Sequence, residues 1–293
     1  MKKRMLLTGS NGFIGRSLIE GIDKNLYDIF ALDIQNDLSG DIYGIKEYFS
    51  IDISKPFHIN AYFDVVIHLA ALNRTNIDSN FAYEQFEAAN VNGTKNVASS
   101  CYFNKFIFFS TANIYEKAAS QIDENGSLKP HSFYERSKYE AELVCREYIE
   151  DEKLVILRPI NITGIKQENK AIVPYFFSRA ASNEPIEVFV PQNRKIQLLS
   201  VKDLLKAIEA VISCANINGI FNLSNKDSIE VRTLAQKIVT LCNSDSHILC
   251  INSEQENYCE VSSDKARRLL NWQAMDSIDT IINDYGQYFI RNK

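Results

Sequence analysis

The sequence predicts an α/β protein built on a doubly wound parallel sheet, with a smaller mixed region after it. Between residues 1 and 160, strand-like and helical stretches alternate about six times. The first strand runs into a glycine-rich turn that opens a helical pattern, at residues 8–19. The stretch 64–71 is apolar almost throughout, which is typical of a central parallel strand buried on both faces.

Composition excludes several classes of function. The formal net charge is -5 and no basic run is present, so a nucleic-acid partner is not expected. The apolar start ends at Leu7, too early for a signal peptide, and no apolar stretch approaches the roughly 20 residues that span a bilayer. The six cysteines include no C-x-x-C pair. We therefore expect a cytoplasmic protein with reduced thiols, no membrane partner and no metal site.

The glycines of the first turn predict a dinucleotide site, with an ordinary strand-to-helix turn as the alternative. Gly9 permits a tight turn, Gly12 a close approach to a pyrophosphate, and Gly15 close packing of the helix on the sheet. The helix N-terminus presents free N–H groups to such an anion. The same turn contains three further predicted cofactor contacts, Asn11, Phe13 and Ile14.

The second strand, 27–33, predicts which dinucleotide binds. It ends in Asp33, about 20 residues beyond the glycines, where a carboxylate binds the adenosine ribose hydroxyls and repels a 2′-phosphate. Residues 34–37 contain no lysine or arginine that would receive such a phosphate. The expected cofactor is therefore NAD, and NADP is less favoured, although Arg16 offers one cation to a phosphate.

Two further segments carry candidate cofactor contacts. The stretch 47–53 predicts a third strand, at whose end Asp52 and Ile53 either contact adenine or form a strand-end turn. A long helical region, 81–103, follows later and contains Asn90.

The apolar strand 64–71 ends at the predicted cofactor edge of the sheet. Leu69 and the small residues Ala70 and Ala71 would let a cofactor lie against the backbone. His68 lies within the apolar run, and we interpret it as a hydrogen-bonded core histidine rather than a catalyst.

The next strands bring hydroxyl groups to the same edge. The stretch 105–111 ends in Ser110 and Thr111, and the carboxyl end of a parallel strand faces the crevice where ligands bind. The stretch 154–159 predicts a sixth strand, which its proline closes.

A tyrosine and a lysine lie one turn apart on the predicted helix 133–149. Tyr134 and Lys138 share a face of that helix because residues four apart are neighbours. An ammonium beside a phenol stabilises the phenolate, so we expect a lowered pKa for Tyr134. Such a tyrosine exchanges protons with an alcohol or carbonyl oxygen.

The alternation loosens in the second half of the chain. Helical patterns begin near Val173 and Val201, and 187–190 is strand-like. We interpret this half as a smaller mixed region that closes over the ligand edge of the sheet.

Taken in order, a series of segments resembles the extended short-chain dehydrogenase/reductase family, the nucleotide-sugar epimerase/dehydratase/reductase group. They are TGSNGFIG (8–15), Asp33, HLAA (68–71), NVNGT (90–94), FFSTANIY (108–115), YERSK (134–138), LRPINITG (157–164), SVKDLLKAI (200–208) and DKARRLLNW (264–272). The resemblance implies a Rossmann dinucleotide-binding domain over 1–160 with a return segment near 195–225. It also implies a mainly substrate-binding region over 161–293, and a homodimer.

The resemblance also implies residue roles. Tyr134 is the general acid/base, Lys138 lowers its pKa and holds the nicotinamide ribose, and Thr111 hydrogen-bonds the reacting oxygen. The remaining implied contacts are to the cofactor at Asn90, Ser110, Pro159 and Ile160, and to the substrate at Asn161 and Arg194.

The implied reaction is hydride transfer at C4 of a nucleotide-linked sugar. Family dehydratases carry an Asp-Glu pair directly after the threonine, where this chain has Ala112-Asn113, so a dehydratase is not expected. The short substrate region favours reduction of a 4-keto-6-deoxy nucleotide sugar. A 4-epimerase, with which Asp33 agrees equally well, is the alternative. A catalytically silent relative that binds NAD is the minor alternative.

Two positions depart from the family pattern. Glu116 stands where the family has glycine, so the loop there is expected to take a different path. Ile196 stands where the family has an arginine for the nucleotide diphosphate. Arg194, two residues earlier on the same strand face, would have to replace it.

Overall fold

The computed structural model describes residues 2–37, 44–73, 82–118, 120–167, 171–190, 194–252 and 260–291. The chain forms two compact units, the first from 1–116, 127–159 and 208–221 and the second from 117–126, 160–207 and 222–293. The sequence-based division at residue 160 placed 117–126 in the dinucleotide-binding domain. It also assigned a return segment near 195–225 to that domain. The structure groups 117–126 with the second unit instead, and returns only 208–221 to the first.

Strands and helices alternate through most of the first half of the described chain, as predicted, but the second, third and fourth strands follow one another with no helix among the described residues between them. The strands are β1 (Lys3–Thr8), β2 (Tyr27–Asp33), β3 (Ile45–Ser50), β4 (Tyr62–His68), β5 (Tyr102–Phe109), β6 (Leu154–Pro159), β7 (Ile162–Thr163), β8 (Ile186–Val190), β9 (Lys195–Gln197), β10 (Leu199–Ser200), β11 (Gly219–Leu223), β12 (Ser228–Glu230) and β13 (Ile248–Asn252). The α-helices are α1 (Phe13–Gly21), α2 (Tyr83–Phe86), α3 (Gly93–Ala98), α4 (Phe133–Tyr148), α5 (Ile172–Ala181), α6 (Val201–Ser213), α7 (Val231–Leu241), α8 (Asp264–Leu270) and α9 (Ile278–Arg291).

Seven strands form one parallel sheet in the order β11-β6-β5-β4-β1-β2-β3. Leu7 of β1 pairs with Ala31 of β2 on one side and with Ile67 of β4 on the other. The strand order therefore reverses between β1 and β4. In open α/β sheets ligands bind outside the carboxyl ends of the strands at such a reversal, beside Thr8 and His68 here.

The central strands are buried on both faces, as the apolar runs predict. Val65, Val66 and Ile67 of β4 and the neighbouring residues 106–108 of β5 are all nearly inaccessible to solvent. Strand β4 ends at His68 and not at 71, and the bond from the Leu69 N–H to the Thr8 carbonyl, at 3.2 Å, is the last one of its ladder with β1.

Two predicted boundaries are wrong for local reasons. Strand β3 ends at Ser50 and not at 53, because the backbone turns at Asp52. The helical region predicted over 81–103, whose first residue lies outside the described ranges, ends at Ala98. It consists of α2, a π-helical segment over Glu87–Asn92 and α3, and its last two predicted residues, 102 and 103, belong to β5.

Helix α4 begins at a well-defined residue because its first turn is capped. The Ser132 hydroxyl accepts from the Glu135 N–H at 3.1 Å, and the Glu135 carboxylate accepts from the Ser132 N–H at 3.1 Å. This capping box satisfies N–H groups that a helix start leaves unpaired. It fixes Tyr134 in the first turn and Lys138 in the second.

The second unit has its own apolar core and three small sheets. The core is formed mainly by α5, α7 and α9, with Phe177, Ile238 and Tyr285 among its buried residues. The paired strands are β7 with β10, β9 with β12, and β8 with β13.

A buried aspartate fixes the C-terminal segment of this unit. The Asp203 carboxylate accepts from the N–H groups of Met275 and Asp276, each at 2.8 Å, and its carbonyl accepts from Trp272 Nε1 at 2.9 Å. Trp272 is buried in this contact, so its role is structural.

Within the described ranges, no helix has the length and apolarity that crossing a bilayer requires. The same ranges contain no group of three or more His, Cys, Asp or Glu arranged to hold a metal ion. Cys259 lies outside them, and the five cysteines inside them are free thiols.

Candidate active site

The glycine turn between β1 and α1 leaves room at the helix N-terminus that side chains would fill. Gly9 has a φ of +72°, and a Cβ there would lie 2.6 Å from the Ala70 nitrogen. A Cβ at Gly15 would lie 2.3 Å from the Gly9 carbonyl oxygen. Gly12 is the N-cap of α1, and no side chain caps it and no acid lies in the first turn. The turn therefore suits a pyrophosphate, which requires free N–H groups and close backbone approach.

We expect Gly15→Ala to lower dinucleotide affinity by more than tenfold, because the new methyl group would force the Gly9 carbonyl out of the turn. Calorimetric titration with NAD measures this change. Gly21→Ala, at the other end of α1, is the matched control and should leave affinity within about twofold. Unchanged affinity in Gly15→Ala would contradict a cofactor role for the turn.

Asp33 lies at the carboxyl end of β2 and faces the glycine turn. One carboxylate oxygen accepts from the Asn11 N–H at 2.9 Å, and the other lies 3.4 Å from the Gln35 N–H. A carboxylate has about four lone-pair sites, so acceptor capacity remains for the two hydroxyls of a ribose. The Asn11 side chain also donates a hydrogen bond to the Tyr48 hydroxyl, a contact that was not predicted from the sequence.

His68 is a neutral core histidine, as predicted. Its Nδ1 lies 2.6 Å from the Thr8 hydroxyl, and its Nε2 lies 3.0 Å from the Thr94 hydroxyl. The Thr94 hydroxyl donates to the Asn90 carbonyl at 2.6 Å, so it accepts from Nε2–H. The Thr8 hydroxyl then donates to Nδ1 and accepts from the Ala70 N–H at 3.3 Å. Burial, followed by the Lys138 charge, lowers the pKa of His68 to about 3.

Asn90 uses its amide to hold backbone and helix together. Its oxygen accepts from the Leu72 N–H at 2.6 Å, and its nitrogen donates to the Leu72 carbonyl at 3.1 Å and to the Ser137 hydroxyl at 2.8 Å. The Ser137 hydroxyl donates in turn to the Tyr134 carbonyl at 2.8 Å. Asn90 therefore acts on the predicted cofactor site through the loop after β4 and the first turn of α4.

The acid predicted to meet adenine is engaged in a turn. The Asp52 carboxylate accepts from the backbone N–H and hydroxyl of Ser54 at 3.0 and 2.7 Å, and these bonds, chiefly the hydroxyl, lower its pKa. Ile53 is buried against Gly93 at the start of α3. The structure shows the strand-end turn, and the contact of Asp52 and Ile53 with adenine stays a prediction.

The end of β5 carries two hydroxyls with different environments. Ser110 Oγ is buried and has no hydrogen-bond partner within the described part of the chain. Thr111 Oγ1 accepts from the Asn113 N–H at 3.2 Å, which leaves the Thr111 proton available for donation. A buried hydroxyl without a partner is costly, so Ser110 suits a ligand that would bond to it.

Tyr134 and Lys138 occupy one face of α4, but their pKa values differ from expectation. Burial of the phenol, and then the Glu135 carboxylate, raise the pKa of Tyr134 to about 12. This direction is opposite to the lowering expected from Lys138, because desolvation of the phenolate dominates. Burial also lowers the pKa of Lys138 to about 8, and its ammonium lies 4.2 Å from the Phe108 ring centroid.

A buried ion pair lies one turn beyond Lys138 and was not predicted. The Arg158 guanidinium donates to both carboxylate oxygens of Glu142, at 2.9 and 2.6 Å, and to the Tyr115 hydroxyl at 2.7 Å. All three side chains are nearly inaccessible to solvent. The pair joins α4 to the end of strand β6, beside Pro159, and so fixes the position of the helix that carries Tyr134.

Glu116 takes part in an exposed strand-like contact. Its N–H donates to the Ser127 carbonyl at 2.7 Å, and its carboxylate pairs with Lys129 at 3.3 Å. These bonds join the two ends of the chain that flank 117–126, the segment that belongs to the second unit.

The second unit holds two of the predicted substrate residues, Asn161 and Arg194, whereas Thr111 belongs to the first. Asn161 has a φ of +30°, and its amide donates to the Gln197 carbonyl at 3.0 Å. Ile160 is buried, and its N–H donates to the Leu223 carbonyl at 3.1 Å. Ile196 belongs to the core of this unit, whereas Arg194 is half-buried just before β9.

Several observations in the first unit fit an adenine dinucleotide. The glycine turn is shaped so that any Cβ would fill it, the N-terminus of α1 is uncapped by side chains, and Ser110 Oγ is buried without a partner. Asp33 retains acceptor capacity for a ribose diol. Gly9, Gly12 and Gly15 would hold the pyrophosphate, and Asp33 the adenosine ribose.

Comparisons with known proteins agree with this fit. A model of the NAD dependent epimerase/dehydratase family matches residues 5–224. The chain is 27% identical over 278 residues to the UDP-N-acetyl-alpha-D-glucosaminuronate decarboxylase of Bacillus cytotoxicus, covering 87% of this chain and 85% of that one. It is 27% identical over 262 residues to the dTDP-4-dehydro-6-deoxyglucose reductase of Escherichia coli, covering 81% of each.

A solved structure shows the same fold. The UDP-glucuronic acid 4-epimerase from Bacillus cereus, in complex with UDP-glucuronic acid and NAD, superposes with a TM-score of 0.85. The match covers 99% of this chain and 100% of that one at 19% sequence identity.

Proposed function

The chain belongs to the NAD-dependent epimerase/dehydratase family, and on this premise we propose that it transfers hydride between NAD and C4 of a nucleotide-linked sugar. The observation that carries the proposal is a grouping within one unit: the glycine turn, Asp33 and the pair formed by Tyr134 and Lys138. The family supplies the substrate class, and these residues supply cofactor binding and proton transfer.

We favour the reductive direction on a 4-keto-6-deoxy sugar. When bound, the reduced cofactor supplies the hydride that adds to the C4 carbonyl carbon. Thr111 donates a hydrogen bond to the carbonyl oxygen, and Tyr134 transfers its phenolic proton to that oxygen as the carbonyl electron pair moves onto it. The phenolate that remains recovers a proton from water, and Lys138, one turn away on the same helix face, is the cation proposed to face it. A pKa near 12 keeps Tyr134 protonated at neutral pH, which is the state a proton donor requires.

Elimination chemistry has no candidate acid or base at the expected positions. The buried methyl of Ala112 and the exposed amide of Asn113 follow Thr111. Neither side chain exchanges protons at neutral pH. The proposal therefore excludes a 4,6-dehydratase that uses these two positions.

A 4-epimerase is the second candidate. The feature that favours it is Asp33, at the proposed adenosine end of the cofactor site. Asp33, with its remaining acceptor capacity, suits NAD held through both an oxidation and a reduction at the same carbon. Tyr134 would then accept a proton from the alcohol in one half-reaction and return it in the other.

One experiment separates these reactions. The purified protein is assayed for retained NAD and then offered UDP- and dTDP-linked sugars, with products identified by mass spectrometry and NMR. Stoichiometric loss of NADH on a 4-ketosugar supports the reductase. Interconversion of C4 epimers without net NADH loss supports the epimerase. Release of CO₂ from a UDP-linked uronic acid, the reaction type of the decarboxylase relative, would contradict both.

The pKa of Lys138 predicts a pH dependence. Lys138 is charged below about pH 8 in the folded protein, so kcat/KM should fall as the pH rises through that value. Unfolded lysine keeps its proton to about 10.5, so the unfolded state binds more protons between these two values. The free energy of unfolding should therefore rise with pH in that window, by at most about 1.4 kcal/mol per unit.

Urea unfolding at pH 8 to 10 tests this linkage directly. The rise should be absent in Lys138→Met, which has no proton to lose. An equal rise in both proteins would show that other groups cause it.

A further inference from the structure

A group of hydrogen bonds among Tyr48, Asn11 and the carbonyls of Gln35 and Asp37, here called the polar tie, joins β3 to the glycine turn. The Tyr48 hydroxyl donates to the Gln35 carbonyl at 2.8 Å and lies 3.3 Å from the Asp37 carbonyl. The Asn11 amide nitrogen donates to the same Asp37 carbonyl at 2.9 Å and to the Tyr48 oxygen at 3.1 Å. Residues 35–37 are thereby held beside the turn that contains Asn11.

The same tie reaches Asp33. The Asn11 backbone N–H donates to the Asp33 carboxylate at 2.9 Å, so one residue contacts the acid, the phenol and the Asp37 carbonyl. Asn11 is buried, and Tyr48 and Asp33 are half-buried. This arrangement limits how far the Asp33 carboxylate and residues 35–37 move relative to each other.

The tie uses the hydrogen-bond donors of its members. A phenol has one proton and a primary amide has two, and here they are directed at the Gln35 and Asp37 carbonyls and at the Tyr48 oxygen. What the cluster offers a ligand is carboxylate and carbonyl oxygen. A ribose diol donates to such acceptors, whereas the oxygens of a 2′-phosphate have no proton to donate and carry negative charge.

We infer that Tyr48 and Asn11 are specificity-determining residues that, together with Asp33, admit a free adenosine ribose diol and reject a 2′-phosphate. The inference rests on the proposed function only in taking the ligand to be an adenine dinucleotide. Tyr48 acts here by holding Asn11 and residues 35–37, so it is a positioning residue. Burial and the nearby Asp33 charge raise the pKa of Tyr48, so its proton stays in the tie at neutral pH.

The test compares two ligands that lack both nicotinamide and sugar nucleotide. ADP-ribose and 2′-phospho-ADP-ribose are titrated calorimetrically into the full-length wild type, Tyr48→Phe and Tyr62→Phe. Tyr62 begins β4 in the same sheet and is 42% exposed, so its variant makes the same chemical change away from the tie. Melting temperatures are recorded for all three proteins.

Tyr48→Phe should lower the preference for ADP-ribose over its 2′-phosphate by about 2- to 10-fold, the range that corresponds to one lost hydrogen bond. Tyr62→Phe should leave that ratio unchanged. If Tyr48 acts through Asp33, adding Tyr48→Phe to Asp33→Ala should change the ratio less than Tyr48→Phe does in the wild type.

Two results would overturn the inference alone: a ratio in Tyr48→Phe equal to that in Tyr62→Phe, or an equal loss of affinity for both ligands, which would indicate a purely structural role. A wild type that binds neither ligand would overturn the inference and the proposed cofactor together. Because no sugar nucleotide enters the assay, failure to find a turned-over substrate leaves this result unaffected.

Discussion

Tyr134→Phe should lower kcat by about 10²- to 10⁴-fold while NAD affinity stays within about twofold of the wild type. The change removes the phenolic oxygen and its proton but keeps the ring, so α4 keeps its packing. The neighbouring carbonyl, which accepts from Ser137, is also unchanged. Steady-state kinetics on the substrate found in the product assay, with calorimetric NAD titration, measures both quantities.

Tyr139→Phe is the matched control for this variant. Tyr139 is half-buried on the same helix, and the same oxygen is removed outside the proposed machinery. Its turnover should stay near that of the wild type. Turnover of Tyr134→Phe within threefold of the control would mean that another group supplies the proton.

Glu142→Ala should lower the free energy of unfolding by about 3 to 5 kcal/mol, because it leaves the Arg158 guanidinium buried without its counter-charge. That loss is a large part of the 5 to 15 kcal/mol that typically stabilises a folded protein. Urea unfolding followed by circular dichroism measures it. Glu147→Ala, an exposed position on the same helix, should change stability by less than about 0.5 kcal/mol.

A double replacement separates charge burial from the value of the pair itself. Glu142→Leu with Arg158→Met removes both charges and keeps apolar volume, so it should be considerably more stable than Glu142→Ala. Glu142→Ala should also have a lower activity per folded molecule than the wild type, because the pair fixes the helix that carries Tyr134. If the double variant is no more stable than Glu142→Ala, the loss comes from packing and not from the unpaired charge.

Elements with strong periodicity were predicted well from sequence. Strands β2 and β6 have the predicted bounds, and α4 ends within one residue of its predicted end. Buried parallel strands and amphipathic helices make such patterns because each burial geometry repeats regularly along the chain. The small strands of the second unit, such as β7 and β10 with two residues each, are too short to make one.

The candidate site was predictable in its parts but not in their contacts. The glycine turn, Asp33 and the Tyr134–Lys138 pair have fixed spacings that signal their chemistry. Tyr48 has no such signal, because its place opposite Ala31 depends on a register shift between β2 and β3. The pKa of Tyr134 depends on burial, which spacing does not encode.

The order of synthesis gives the discontinuous first unit a folding consequence. Strand β11, which borders β6 in the sheet, leaves the ribosome only after the chain from 160 to 207 has emerged. Until then the nascent sheet has an uncovered edge at β6, and uncovered edges pair with other chains. Truncations that end between β6 and β11 should therefore aggregate, even though they contain the whole glycine turn and α4.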